Sequence, residues 1–188
     1  MSDFIENIKK VINKDICINS IENIFEIKEG SKESKCKVVK LNNIGVDSFA
    51  FSLDGSDSHK KFPFFDHRCP KITSVNDAIL FVVTQKNIFV FIIELKTQNI
   101  SSLPKQIKAG EHFLDYLINM TNFSFDEEYS VEKRVLLFSC RKQAKKMTTR
   151  KNNLTFKYES TDFTNLKCME IFCDNVSPFY LCNVINGN

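Results

Sequence analysis

The apolar positions of the first segment recur with the period of a helix. Phe4, Ile5, Ile8, Val11 and Ile12 fall on one stripe, which predicts a helix from Ser2 to about Lys14 with Ser2 at its cap. Ile21, Ile24 and Phe25 share a face at the same spacing, which predicts a short second helix after Ser20. Gly30–Lys35 is polar and breaks the pattern. The period then changes to two. Strands are expected at Cys36–Leu41 and Asp47–Leu53, where Phe49 and Phe51 alternate with Ser48 and Ser52. Asp54–Lys61 reads as a polar turn, and Phe62–Thr73, with Pro63 and Pro70, as irregular chain. Asp77–Thr84 and Ile88–Lys96 are the clearest strands, joined at Gln85-Lys86-Asn87. Ser101–Asn119 is the clearest helix: Leu103, Ile107, Phe113, Leu114, Leu117 and Ile118 give it an apolar face, and Pro104 suits its first turn. Val135–Phe138 follows as a strand, and Leu154–Tyr158 and Met169–Phe172 as strands near a sheet edge.

Helices and strands mixed in this order predict an α/β (α+β) fold, a central mixed sheet flanked by helices, with extra C-terminal strands. The length of 188 residues suits one domain spanning 1–188. With 18 Phe and no Trp, the core is expected to be built from Phe, Ile and Leu. The net charge of +3 selects no class of partner. Seven cysteines, none in a CxxC pair, together with a charged amphipathic N-terminal segment, predict reduced thiols and a cytoplasmic protein. No apolar run approaches the roughly 18 residues that span a membrane.

Chemistry is concentrated in one hairpin. The run IFVFIIELK is apolar from Ile88 to Leu95 except for Glu94, and Lys96 follows. A strand this apolar is covered on both faces, so its two charges need compensation from a partner charge, a metal or a cleft. A two-residue turn at Lys86-Asn87 places Asp77 opposite Lys96 and Glu94 opposite Ile79. Residues opposite each other, and residues two apart, share a face. Asp77, Glu94 and Lys96 therefore project together from one end of the hairpin. A four-residue loop preserves that parity and a three-residue loop breaks it. Two carboxylates offer the hard oxygen ligands that Mg²⁺ or Mn²⁺ takes, and an adjacent amine can orient a water and stabilise charge on a phosphate. Phosphodiester hydrolysis is the reaction these groups suit.

Asp77 followed by Glu94-Leu95-Lys96 resembles the motif of the PD-(D/E)xK, or restriction-endonuclease-like, nuclease superfamily. The predicted order of elements, helix, three antiparallel strands, helix, strand, is also similar to that superfamily's αβββαβ core, over roughly residues 2–138. Asn76 stands where the signature proline would be. The resemblance implies a metal-dependent nuclease, acting on DNA by preference, with Asp77, Glu94 and Leu95 holding the metal and Lys96 as the catalytic lysine. Gln106, in LPKQIKAG, matches a glutamine many members carry near the site, and Glu6 is a candidate for the acidic residue some members add from the first helix. Similar proteins often occur in restriction and phage defence. The sequence shows no separate sequence-reading domain, so a homodimer or a partner protein that supplies targeting is expected. The competing reading is a non-catalytic nucleic-acid-binding or protein-interaction module on the same fold, and RNA remains an open substrate.

Beyond the hairpin, Lys133 to Tyr158 holds nine basic residues and no acidic one. Arg141, Lys142, Lys145, Lys146, Arg150 and Lys151 are its expected phosphate contacts, with Phe156 and Tyr158 available to stack on bases. The plain alternative is a solvated loop. His59, His67 and Cys69 lack a fourth ligand for a zinc site and are read as structural. No glycine-rich phosphate loop, GxSxG, HExxH or EF-hand loop is present.

Overall fold

The computed structural model describes residues 3–30, 34–54, 74–97, 101–140, 156–162, 164–172 and 178–187. Helix α1 (Phe4–Val11) buries Phe4, Ile5 and Ile8 on one stripe and is shorter at both ends than its periodicity predicts. The helix expected after Ser20 is instead a hairpin arm. Glu22 and Asn23 both take positive φ, 51° and 62°. Ile21 bridges to Ile24 across them. A pair of left-handed residues makes the tight turn whose twist suits a hairpin. Beyond it, Phe25 and Ile27 are buried while Glu26 and Lys28 are exposed, a period of two rather than 3.6.

A seven-stranded sheet runs through the molecule in the order β1-β4-β5-β6-β7-β9-β8. Its strands are β1 (Cys17–Ile18), β4 (Asp47–Phe51), β5 (Ala78–Val83), β6 (Ile88–Lys96), β7 (Val131–Ser139), β8 (Glu159–Thr161) and β9 (Thr164–Phe172). β4, β5 and β6 are antiparallel neighbours, whereas β6, β7 and β9 run parallel. The parallel step from β6 to β7 is made through the helix α2 (Leu103–Phe125), as a parallel connection requires. Of the strand expected at Leu154–Tyr158, residues 154–155 lie outside the described residues and 156–158 are not in a strand, while β8 begins at Glu159.

The sheet is covered on both faces. α1 and α2 lie on one side, with Phe4, Ile8, Ile107 and Leu114 clustered against Phe81, Val90, Ile92 and Leu137. On the other side sits a three-stranded sheet, β10-β3-β2, formed by β2 (Ile24–Lys28), β3 (Val38–Asn42) and β10 (Phe179–Tyr180). A short helix α3 (Leu181–Ile185) joins it, and together they bury Phe25, Leu41 and Leu181 against Leu80, Phe91 and Leu95. This double cover explains why β6 reads as a continuous apolar run. The architecture is mixed α+β around a central mixed sheet.

Arg134 departs from the phosphate-facing role its sequence neighbourhood suggests. It is 8% exposed. Its guanidinium lies between the rings of Phe89 and Tyr158, at 4.4 and 4.5 Å from their centroids. Nε bonds Glu132 at 2.8 Å and Nη1 donates to the Ile185 carbonyl at 2.9 Å. Tyr158 donates its hydroxyl to the Val184 carbonyl at 3.0 Å. Both side chains thus cap the end of α3 and are turned inward, because a buried cation is retained only where its donors are satisfied. Lys133 is ion-paired with Asp115. Arg134→Leu should lower stability by about 2 kcal/mol in urea unfolding by leaving those acceptors unpaired. A loss indistinguishable from zero would show that the C-terminal segment is held by apolar packing alone.

Among the described residues no helix is long and apolar enough to cross a membrane. Cys17, Cys140, Cys168 and Cys182 are free thiols. Cys36 departs from the expectation of reduced thiols throughout: it is disulfide-bonded. It is 2% exposed, which shields its sulfur from attack by a thiolate.

Candidate active site

β6, β7 and β9 end on the same side of the sheet, and ligands in sheets of this kind collect at the C-terminal ends of parallel strands. Glu94 and Lys96 occupy that end of β6. Ile88, Val90 and Ile92 face the helical side, so the alternation carries Glu94 and Lys96 to that side as well. In β5, Ile79 and Phe81 face the same way, and Asp77, two residues before Ile79, follows them.

The register differs by two from the sequence expectation. Thr84 N–H donates to the Asn87 carbonyl at 3.0 Å, so the turn is Gln85-Lys86 and Val83 pairs with Ile88. Extending the ladder from Ala78↔Ile93 sets Asp77 opposite Glu94 instead of Lys96. A shift of two preserves the shared face, and Asp77, Glu94 and Lys96 come together at one end of the hairpin.

Hydrogen bonds and one ion pair hold the polar groups there. Leu95 N–H donates to Asp77 Oδ2 at 2.6 Å. Lys96 Nζ is 2.8 Å from Glu94 Oε2, with the lysine side chain 13% exposed and that of the glutamate fully buried. Asn76 Nδ2 donates to Glu94 Oε1 at 2.6 Å and to the Gln106 carbonyl at 3.0 Å. Asn76 therefore ties the carboxylate to the first turn of α2, a bond that proline at this position could not make. The side chain of Gln106 accepts from Ser102 Oγ at 3.0 Å. Leu95 can offer a metal only its main-chain carbonyl. Glu6 is exposed and paired with Lys9 at 2.8 Å, not buried with the trio. Arg141, Lys142, Lys145, Lys146, Arg150 and Lys151, and likewise His59, His67 and Cys69, lie outside the described residues.

Gly110 permits the Asn76 bridge. A Cβ built on Gly110 would overlap the Asn76 amide, within 2.9 Å of its Cγ. Gly110→Ala should cost about 2 kcal/mol in thermal or urea unfolding, because Asn76 must leave Glu94 to make room. An unchanged midpoint would mean that Asn76 moves freely and does not fix the carboxylate.

The structure adds two carboxylates that sequence reading did not pick out. Glu29 follows β2 and Asp54 lies beyond β4. Their carboxylate oxygens and one of Asp77 lie within 4.8 Å of one another. The electrostatics fit a cation. Burial first, and then the charge of Glu94, pushes the Asp77 carboxyl up to about 8, and Glu29 adds to the shift. Burial also raises Glu94, against the opposing effects of Lys96 and Asn76. For Lys96, burial favours loss of the proton, but Glu94 outweighs it and the shift is upward. Every donor in the group is a hard oxygen, the kind of ligand that Mg²⁺ or Mn²⁺ takes.

No family model, curated protein sequence or solved structure matches this chain.

Proposed function

We propose that this protein is a Mg²⁺- or Mn²⁺-dependent nuclease of the PD-(D/E)xK type that hydrolyses phosphodiester bonds, in DNA by preference. The observation that carries the reading is geometric: buried Asp77 and Glu94 meet Lys96 at one end of the hairpin, with the Glu29 and Asp54 carboxylates beside Asp77. Asp77 and Glu94 would be the central metal-holding residues, together with the Leu95 carbonyl, and Glu29 and Asp54 would supply further oxygens on the Asp77 side. When bound, the divalent ion acidifies a water and polarises the phosphoryl group.

The remaining work falls to the chain's own side chains. Lys96 keeps its proton at neutral pH, since its shift is upward. It therefore acts as a donor and a positive charge toward the phosphate, not as a base. Only one of its three N–H groups is needed for Glu94, which leaves donors for water or phosphate. Asn76 fixes the Glu94 carboxylate, and through the Gln106 carbonyl it fixes the distance between the hairpin and α2. Gln106 itself can turn from Ser102 toward the substrate. The basic stretch from Arg141 to Lys151 would meet the nucleic-acid backbone.

A cleavage assay tests the reading. Linear, circular and single-stranded DNA, and RNA, are incubated with Mg²⁺ or Mn²⁺, with EDTA as control. Cutting that needs the metal is expected, with the preferred substrate naming the polymer. The second reading, a non-catalytic module, is favoured by the closed Lys96–Glu94 pair. It would be established by nucleic-acid binding with neither cleavage nor metal uptake in calorimetry.

A further inference from the structure

α2 is apolar on two opposite faces. Leu103, Ile107, Leu114 and Leu117 are buried against the sheet. On the outer side Tyr116, Met120 and Phe123 are exposed by 62%, 37% and 79%. Their spacing of i, i+4 and i+7 aligns them in one stripe. Tyr, Met and Phe are the types concentrated in protein interfaces, and three in line on one helix form a patch rather than scattered exposure.

The charges flanking the stripe run against the helix dipole. No acidic residue occupies the first turn and no basic residue the last. Lys105 is exposed near the N-terminal end, and Asp126, Glu127 and Glu128 are exposed just past the C-terminal end. Within one molecule that arrangement is unfavourable at both ends. Against a second, antiparallel copy it is complementary.

We propose that the outer face of α2 is a self-association surface, on which two copies of this chain pack antiparallel about a two-fold axis at Tyr116. The axis sets Lys105 of each copy toward the end of the other's helix, where Asp126, Glu127 and Glu128 are exposed just past Phe125. It sets the small Ala109 opposite the large Phe123, and His112 opposite Met120. Large against small lets helices approach to the usual 8–10 Å. A two-fold contact of this kind is isologous and closes at the dimer, so it leaves no sticky face for further growth.

Sedimentation velocity on the full chain at concentrations on the order of 100 µM tests it. The wild type is expected to be a dimer and Phe123→Glu a monomer with an unchanged circular dichroism spectrum. Tyr116→Glu serves as a second variant if Phe123→Glu folds poorly. Lys105→Glu and Glu127→Lys should each weaken association roughly three- to tenfold, and the two together in one chain should restore it. A wild type that stays monomeric overturns the proposal, as does a dimer indifferent to Phe123→Glu. A dimer broken by Phe123→Glu but insensitive to both charge changes overturns the antiparallel geometry.

Discussion

Glu94→Gln should reduce metal-dependent phosphodiester cleavage by about a thousandfold or more, while leaving the protein folded. Glutamine keeps an oxygen to accept from Asn76, so the tie to α2 survives. What is removed is one negative charge from the metal-holding set and the counter-ion of Lys96. Lys96→Met should give a similar loss of rate by a different route. The carboxylates remain, so metal uptake persists in calorimetry, but the donor toward the phosphate is gone. Its fold is less secure, because Glu94 is fully buried and loses its ion-pair partner. Added Mg²⁺ should then raise the melting temperature of Lys96→Met more than that of the wild type. Equal cleavage by wild type and Glu94→Gln would remove this carboxylate from the chemistry. Metal binding lost in Lys96→Met would mean that the lysine organises the ligands instead of acting on the substrate.

The hairpin was legible because an apolar strand makes its charges conspicuous. Ile88–Lys96 has the predicted bounds, and its double cover follows from its composition. The pairing register was less so. Thr84 reads as a strand residue, yet its hydroxyl accepts from the Lys86 and Asn87 amides and so closes the turn one residue early. The end of α2 was hidden for a similar reason. Thr121 and Asn122 look like a polar stop after Asn119. Thr121 instead bonds back to the Leu117 carbonyl at 2.8 Å, inside the helix. Asn122 holds Tyr129 through both its amide atoms, and the chain leaves the helix only at Asp126, with φ 53°. The outer stripe of Met120 and Phe123 belongs to that unpredicted extension. Glu29 and Asp54 carried no local signal at all. Their approach to Asp77 depends on how the small sheet of β2 and β3 lies over β4 and β5, a long-range packing that neither periodicity nor spacing encodes.

Asp77→Asn should stabilise the metal-free protein by about 3 kcal/mol at pH 8 and abolish its response to divalent cations. The sign follows from the direction of the shift. The Asp77 carboxyl has an ordinary value of 3.8 and is pushed up to about 8 in the fold, by burial first and by Glu94 second. Below the lower value both folded and unfolded chains hold the proton, and aspartate brings no penalty. As pH rises through this window the unfolded chain releases its proton while the folded chain keeps it or pays to ionise a buried group. Stability of the wild type therefore falls between about pH 4 and pH 8. Asparagine does not titrate, and its side-chain oxygen can still accept from Leu95 N–H, so the variant should lack this slope. The difference between the two proteins in urea unfolding should be near zero at pH 4 and grow to its full size by pH 8. Saturating Mg²⁺ should then recover about 3 kcal/mol in the wild type at a hundred times its dissociation constant, and nothing in the variant. This exchange of stability for charge is what a carboxylate kept for ligand binding leaves behind. Equal pH slopes in the two proteins would show that Asp77 is compensated without a cation, and would turn the reading toward the non-catalytic module.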